Sequence, residues 1–183
     1  GEITSQVRAN PAAGFSIVTY SGNSSVSTVG HGLGIQPDMI IFKNRTADSG
    51  SDWIVWTSDL AANERLRLNQ SYEKGIDNGF MSGTLPTSSV FSLGNTSVTN
   101  SIGDDFVAYC WSEVPGYSKF GKYTGRGTSG SFIYTGFKTR WVMMKNYDVG
   151  GSWVMCDTQR DPNGTGENWL YANTGASEVA GAT

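Results

Sequence analysis

The sequence predicts an all-β fold, an antiparallel β-sandwich built from two internally repeated strand units. Three observations lead to this prediction. The chain of 183 residues contains 24 glycines and only 16% charged residues, a composition typical of short strands joined by tight turns. Aromatic residues make up 12% of the sequence and include six tryptophans, which supply apolar area for a packed interior. The third observation is an internal repeat, which gives the order of the strands.

The repeat consists of five blocks that keep their order along the chain. The matched blocks are residues 20–22 and 123–125, 32–33 and 136–137, 39–44 and 141–146, 51–56 and 151–156, and 66–69 and 170–173. Each copy predicts a strand ending at a Tyr, a Gly-rich turn, a short strand, a buried strand ending in Lys-Asn, a polar loop and a Trp-led strand. We therefore predict one β domain over residues 1–183, with a complete copy over residues 15–116 and an incomplete copy over residues 117–183.

The strands follow from local composition. Residues 17–20 and 39–42 are apolar and bounded by turn residues, which indicates strands. Residues 39–42 also lack polar alternation, and we place this run and its counterpart, residues 141–144, at the centre of the sheets. The Trp-led runs that follow polar loops are predicted to pair with the strands before them.

Two further features complete the prediction for the first copy. Residues 88–93 and 106–111 are additional strand candidates. Residues 59–68 are the one helix-like stretch, and their poor apolar spacing predicts no more than a short turn of helix.

The second copy has no counterparts of these last two strands. After residue 173 only a short, weakly hydrophobic stretch remains. We expect either that a larger parent protein supplies the strands or that a sheet edge is left open for a neighbouring chain. In both cases an unpaired edge is predicted.

Charge and hydropathy exclude two classes of partner. The net charge is −3, and the 13 Lys and Arg residues are scattered, whereas a nucleic-acid surface needs clustered positive charge. No apolar run approaches the ~18–20 residues of a membrane span, and residues 1–5 do not resemble a signal peptide. We therefore expect neither nucleic-acid binding nor membrane insertion.

Metal and acid–base chemistry leave few traces in the sequence. His31 is the single histidine and its counterpart in the second copy is Thr135, so a turn or strand-edge role is favoured over a ligand role. The glycines around it lack the spacing and the following Lys of a phosphate-binding loop. We predict no catalytic residue, no metal site and no cofactor.

The acidic residues and cysteines also favour structural roles. None of the available acids stands out as a glycosidase pair; they are Asp104, Asp105, Glu113, Asp157, Asp161 and Glu167. The adjacent Asp104 and Asp105 predict a turn before the next strand, with a calcium or sugar contact as the alternative. Cys110 and Cys156 allow one disulfide, but their strand-like surroundings favour two free thiols.

Aromatic side chains are the best candidates for ligand contact, because sugar rings stack on Trp and Tyr faces. Trp53 and Trp153 occupy equivalent strand positions and are predicted to lie in the core. Trp169, Tyr171 and Tyr147 lie in polar, loop-rich surroundings. These three residues are the predicted ligand-binding aromatics.

Several segments resemble a known but uncharacterised domain. Residues 14–22, 29–34, 37–41, 109–121 and 156–162 are similar to a domain found in structural and tail-fibre-like proteins of marine bacteriophages, where it often neighbours lectin-like sandwich modules. The resemblance implies a location in the virion, with an extracellular role. It implies no catalytic residues, because none are established for that family.

Three functional hypotheses remain open. The first is a non-enzymatic tail-fibre module that adheres to a host-surface glycan through loops on a rigid β-scaffold. The second is a purely structural virion domain whose open sheet edge joins other virion proteins or copies of itself. The third is a glycan depolymerase, which lacks a recognisable acid pair.

Overall fold

The computed structural model describes residues 1–46, 51–127, 132–162, 164 and 168–180. The strands of the first part of the chain are β1 (Ser5–Asn10), β2 (Phe15–Ser21), β3 (Ser27–Gly30), β4 (Met39–Asn44), β5 (Ile54–Thr57), β6 (Glu64–Arg67), β7 (Gly75–Ile76), β8 (Val90–Leu93) and β9 (Asp105–Trp111). The later strands are β10 (Trp141–Met144), β11 (Val154–Asp157), β12 (Asn168–Tyr171) and β13 (Val179–Ala180). All the strand pairs are antiparallel, so the prediction of an all-β antiparallel fold is confirmed.

Helical structure in the described residues is limited to a 3₁₀ turn at Pro11–Ala13 and one helical turn, α1, at Ser97–Asn100. No helix among these residues is long and apolar enough to cross a membrane. Residues 59–68 do not form a helix: a turn closes through the bond from the Leu60 N–H to the Thr57 carbonyl, and β6 follows. The segment forms a strand because β6 pairs with β5 and buries Leu66.

Seven strands form the main sheet, in the order β1-β2-β9-β4-β5-β6-β7. β4 lies in the middle, as its uninterrupted apolar sequence predicted. Met39 of β4 pairs with Trp111 of β9 on one side and with Thr57 of β5 on the other. Because β9 also pairs with β2 along its length, this late strand joins the two early hairpins into one sheet.

A second layer covers one face of this sheet. β3 and β8 pair with each other, and Val29, Phe91 and Leu93 on them are buried. The Phe91 ring meets the rings of Tyr20 and Phe42 edge-on at centroid distances of 6.0 Å and 5.3 Å. The hydrophobic core therefore lies between the two layers, in a sandwich-like arrangement.

Strands β4 to β7 and β10 to β13 share one pattern of pairing. The register is the same at every matched pair: Ile40 with Trp56 and Val142 with Cys156, Val55 with Leu66 and Met155 with Leu170, Glu64 with Ile76 and Asn168 with Ala180. Below, the first unit is the seven-stranded sheet with its β3–β8 layer, and the second unit is the sheet β10–β13. The boundary that the sequence places between residues 116 and 117 stays a prediction.

The repeated Asn of the last sequence block has the same role in both units. The Asn69 side-chain oxygen accepts the backbone N–H of Trp53 at 2.9 Å. The Asn173 side-chain oxygen accepts the backbone N–H of Trp153 at 2.8 Å. Each Asn thus fixes the entry into a Trp-led strand from the end of the next strand, which accounts for its recurrence.

The two units differ at the strand that begins the repeat. β4 is central, whereas β10 is the first strand of its sheet, and no described strand pairs with its other edge. The prediction that residues 141–144 lie at the centre of a sheet is therefore wrong. An apolar run indicates that a strand can be buried, but a strand is central only where another strand, such as β9, pairs with each of its edges.

The two units pack on one interior. Trp153 is 4% exposed and belongs to the same buried cluster as the main sheet, and its indole N–H donates to the Arg67 carbonyl at 2.8 Å. Met143, Tyr147 and Ala172 of the second unit also pack against this cluster. Trp153 is buried as predicted, whereas Trp53 is only partly buried.

Candidate interaction surface

The second sheet carries an apolar face that is only partly covered. Side chains alternate across a strand, so directly paired residues share a face. The face follows from the pairings of β10, β11 and β12. It is called the open face below and consists of Val142, Met144, Val154, Cys156, Trp169 and Tyr171. Val142 is 37% exposed, and the other five side chains are half-buried.

The equivalent face of the first unit is fully buried on β4 and β5, and its β6 members, Arg65 and Arg67, are half-buried. Ile40, Phe42, Ile54 and Trp56 are each 0% exposed, and they lie on the side of the sheet covered by the β3–β8 layer. Over the open face the described residues supply no such layer. Residues 120–127 and 132–140 contain the blocks that match residues 20–22 and 32–33 in sequence, and they form no strand. The same half of the sandwich is therefore complete in the first unit, whereas the described part of the second unit has no layer over its open face.

A shallow cavity of about 220 Å³ lies at the β10 end of the open face. Its lining includes Arg140, Trp141, Val142, Cys156 and Asp157. Cys156 occupies the position of Trp56, whose large side chain fills the first unit at this point. The thiol in its place is much smaller than an indole and borders the cavity.

The charged groups beside the cavity are held by local bonds. Asp157 accepts hydrogen bonds from the backbone N–H groups of Arg160 and Gln159 and pairs with the Arg160 guanidinium. These contacts lower the pKa of the Asp157 carboxyl, and the bond from the Arg160 backbone contributes most. Burial, followed by the charges of Asp161 and Asp157, raises the pKa of the Cys156 thiol. Cys156 and Cys110 are both free, as the sequence favoured.

The structure separates the three predicted ligand-binding aromatics. Trp169 and Tyr171 lie two residues apart on β12 and share the open face. Tyr147 lies in the loop after β10 and packs against the core, with the Lys74 ammonium 5.3 Å from its ring centroid and the Lys74 backbone N–H bonded to its carbonyl. None of the three belongs to a freely exposed loop, because each is half-buried.

His31 is buried and both of its ring nitrogens lie against the backbone. It is 0% exposed; its Nε2 lies 3.1 Å from the Thr87 carbonyl, and its Nδ1 accepts the Leu33 backbone N–H. Burial lowers its pKa, and the bond to Thr87 opposes that shift. These contacts join the β3 end to the loop before β8.

The acidic residues singled out in the sequence are tied into turns and ion pairs. Asp104 accepts the Asn44 side-chain amide, and Asp105 opens β9 directly after it. Glu113 pairs with Lys119 at 2.8 Å, and Glu167 lies outside the described residues. Within the described part of the chain, no group of three or more His, Cys, Asp or Glu side chains is placed to hold a metal ion.

One known protein family matches the whole chain. The model of the family described as "Domain of unknown function (DUF7483)" matches residues 1–183. The chain belongs to the DUF7483 family. No curated protein and no solved structure matches it.

The DUF7483 chain also has a row of aromatic rings that the sequence reasoning missed. It runs across one side of the main sheet: Phe15 to Trp111 at 5.1 Å, Trp111 to Tyr109 at 6.2 Å, and Tyr109 to Trp53 at 6.4 Å between centroids. The Lys43 ammonium lies 5.8 Å from the Trp53 ring centroid. The spacing of Tyr109 and Trp111 by two residues was an available signal, but the joining of Phe15 and Trp53 to them depends on which strands are neighbours.

Proposed function

We propose that this chain is a non-enzymatic structural module that assembles with neighbouring protein chains through its second sheet, and that it does so as part of a bacteriophage particle. The observation that carries the proposal is the open face. On β4 and β5 its first-unit counterpart is fully buried, whereas the matching side chains of β10 and β11 are half-buried or exposed, and Trp169 and Tyr171 beside them on β12 are half-buried. A contiguous uncovered apolar patch on a folded protein is characteristic of an interaction surface.

The virion location has a separate basis. It rests on the resemblance of residues 14–22, 109–121 and other segments to domains of phage structural and tail-fibre-like proteins. An assembly role agrees with that setting, because virion proteins function as ordered multimers.

Sedimentation and fluorescent-probe binding test the assembly role. The wild-type chain is expected to bind an apolar probe such as ANS and to self-associate as its concentration rises. A charge at Val142 (V142E) or at Tyr171 (Y171E) should reduce both signals, because burying an unpaired carboxylate at an interface is strongly unfavourable. Ile76→Glu is the matched control, since Ile76 is 73% exposed on β7 of the first unit. A wild-type chain that stays monomeric and binds no probe would contradict the proposal.

Glycan adhesion is the second candidate, favoured by the pair Trp169 and Tyr171 on the open face. Two rings on one strand face are suited to stacking on sugars, and the indole N–H and phenol O–H can bond sugar hydroxyls. A glycan array with the purified chain tests this function. W169A and Y171A should each weaken any binding found, whereas Tyr147→Ala should leave it unchanged because Tyr147 packs against the first unit. Equal effects of all three variants would count against this site.

A further inference from the structure

The repeat shows what lies against the first strand of a complete unit. In the first unit β4 pairs with β9 from Met39 with Trp111 to Asn44 with Phe106. The second unit reproduces β4 to β7 in the same register, yet among the described residues no strand lies on the free side of β10. Besides a β3–β8 layer, the described part of the second unit therefore lacks a strand in the position of β9.

The free edge of β10 presents a known set of backbone groups. The Arg140 carbonyl accepts the Thr158 N–H at 3.0 Å, as the Asp38 carbonyl accepts the Ser58 N–H at 2.8 Å. Antiparallel ladders alternate, so Val142 and Met144 bond towards β11. The N–H and C=O groups of Trp141 and Met143 consequently point to the free side.

The side chains at this edge are also more exposed than their counterparts in the first unit. Trp141 is 54% exposed, whereas its counterpart Met39 is 7% exposed; Val142 is 37% exposed, whereas Ile40 is 0% exposed. Unpaired backbone groups beside exposed apolar side chains are the usual features of an edge that accepts another strand.

The segment that matches β2 in sequence is also left without a partner. Tyr20 lies in β2 beside β9 and is 4% exposed, while its counterpart Tyr123 lies outside any strand and is 52% exposed. The Tyr123 hydroxyl lies 3.7 Å from the Met144 sulfur, so this segment passes next to β10. In the first unit β9 separates β2 from β4. A strand entering between Tyr123 and β10 would restore that order.

We propose that the free edge of β10 accepts an added antiparallel strand with the residue pattern of β9, supplied by another polypeptide segment. This inference rests on the proposed assembly function and names its partner. By the register of the first unit, large aromatic residues of the added strand lie opposite Trp141 and Met143. Small residues in the positions of Ala108 and Cys110 lie opposite Met144 and Val142 and leave space on the open face.

A peptide with the sequence of residues 104–113, with Ser in place of Cys110, is the probe. Binding to the intact 183-residue chain is measured by calorimetry, and its position by hydrogen exchange. We expect the peptide to bind, a scrambled peptide of the same composition not to bind, and the amides of Trp141 and Met143 to become protected.

Two N-methylated peptides test the backbone bonds without altering the protein. In the first unit the Arg45 N–H bonds to the Asp105 carbonyl, which places the Tyr109 N–H on the side of β4, whereas the Ala108 N–H faces β2. Methylation at the Tyr109 position should weaken binding at least ~10-fold, because a buried hydrogen bond is lost. Methylation at the Ala108 position should change it less than ~3-fold, since that amide faces away from β10.

Protein variants provide the reciprocal test. Trp141→Pro removes an N–H that faces the free edge, and Trp141→Ala removes the same side chain but keeps the N–H. The proline variant should bind the peptide at least ~10-fold more weakly than the alanine variant. Unchanged protection of residues 154–157 in the free variant shows that β10 and β11 remain paired.

The outcomes separate this inference from the function on which it rests. No peptide binding, or binding that protects other residues and ignores the methylation site, overturns the added strand. If the chain still self-associates in that case, the assembly function stands and only its partner is wrong. A dimer that protects residues 141–144 and excludes the peptide identifies a second copy as the occupant and overturns the assignment to a β9-type strand.

Discussion

Replacing Trp153 tests whether the two units share one interior. The side chain is 4% exposed and lies within the common core, so Trp153→Ala removes a fully packed indole. Large-to-small changes of this kind cost about 3–5 kcal/mol. For a protein of this size that corresponds to a fall in Tm of roughly 6–20 °C, at ~2–4 °C per kcal/mol.

Trp153→Phe separates packing from hydrogen bonding. It keeps most of the apolar contact and removes the indole N–H that bonds to the Arg67 carbonyl. That carbonyl also accepts the Gln70 N–H at 3.3 Å, so it keeps a partner. The free energy of unfolding should therefore fall by only about 1 kcal/mol.

Denaturant unfolding followed by circular dichroism measures these losses, and hydrogen exchange places them. In W153A the amides of β11 and β12 should lose protection before those of β9, because the second sheet is held to the first by this side chain. Trp141→Ala is the matched control: Trp141 is 54% exposed, and its loss should change stability by less than about 0.5 kcal/mol. If W153A and W141A are equally stable, the reasoning for a shared core is refuted.

Three further predictions concern buried polar and thiol groups. Asn100 is 0% exposed, and its amide donates to the Gly94 carbonyl at 2.7 Å; Asn100→Asp replaces that donor with a carboxylate and should lower the unfolding free energy by about 3 kcal/mol or more in a denaturant titration. Burial lowers the pKa of His31 below 6.5, so the unfolded chain takes up a proton before the folded chain does as the pH falls. The free energy of unfolding should therefore decrease below about pH 6.5, by up to ~1.4 kcal/mol per pH unit. His31→Gln should remove that slope. Burial raises the pKa of Cys110 to about 12, so a thiol reagent should label half-buried Cys156 in the native chain and Cys110 only after unfolding.

Each of these expectations has a contrary result. An Asn100→Asp variant as stable as the wild type would mean that the amide bonds contribute nothing net. A pH slope that persists in His31→Gln would assign the titration to another group. Equal labelling rates for the two cysteines in the folded chain would contradict the burial of Cys110.

The sequence predicted most of the first unit because its signals are local. The apolar run of β4 predicted a central strand, and Phe106 to Trp111 predicted the strand that proved to be β9. The repeated Asn69 and Asn173 made the copies recognisable, and the structure gives them one hydrogen-bonding role. Of the three aromatic residues predicted to bind a ligand, Trp169 and Tyr171 lie together on the open face and Tyr147 does not, and their role in binding stays a prediction.

What the sequence by itself determined is the class of fold, several of the strands and the recurring blocks, because turn residues, apolar runs and repeats are properties of short segments. Tertiary structure alone decided which strands are neighbours. The runs of β4 and β10 are similarly apolar, yet β9 lies beside the first and no described strand lies beside the second. Burial depends on contacts between segments far apart in the chain. For that reason the sequence predicted an unpaired edge without locating it, and the edge at Trp141 and the open face beside it are identified only in three dimensions.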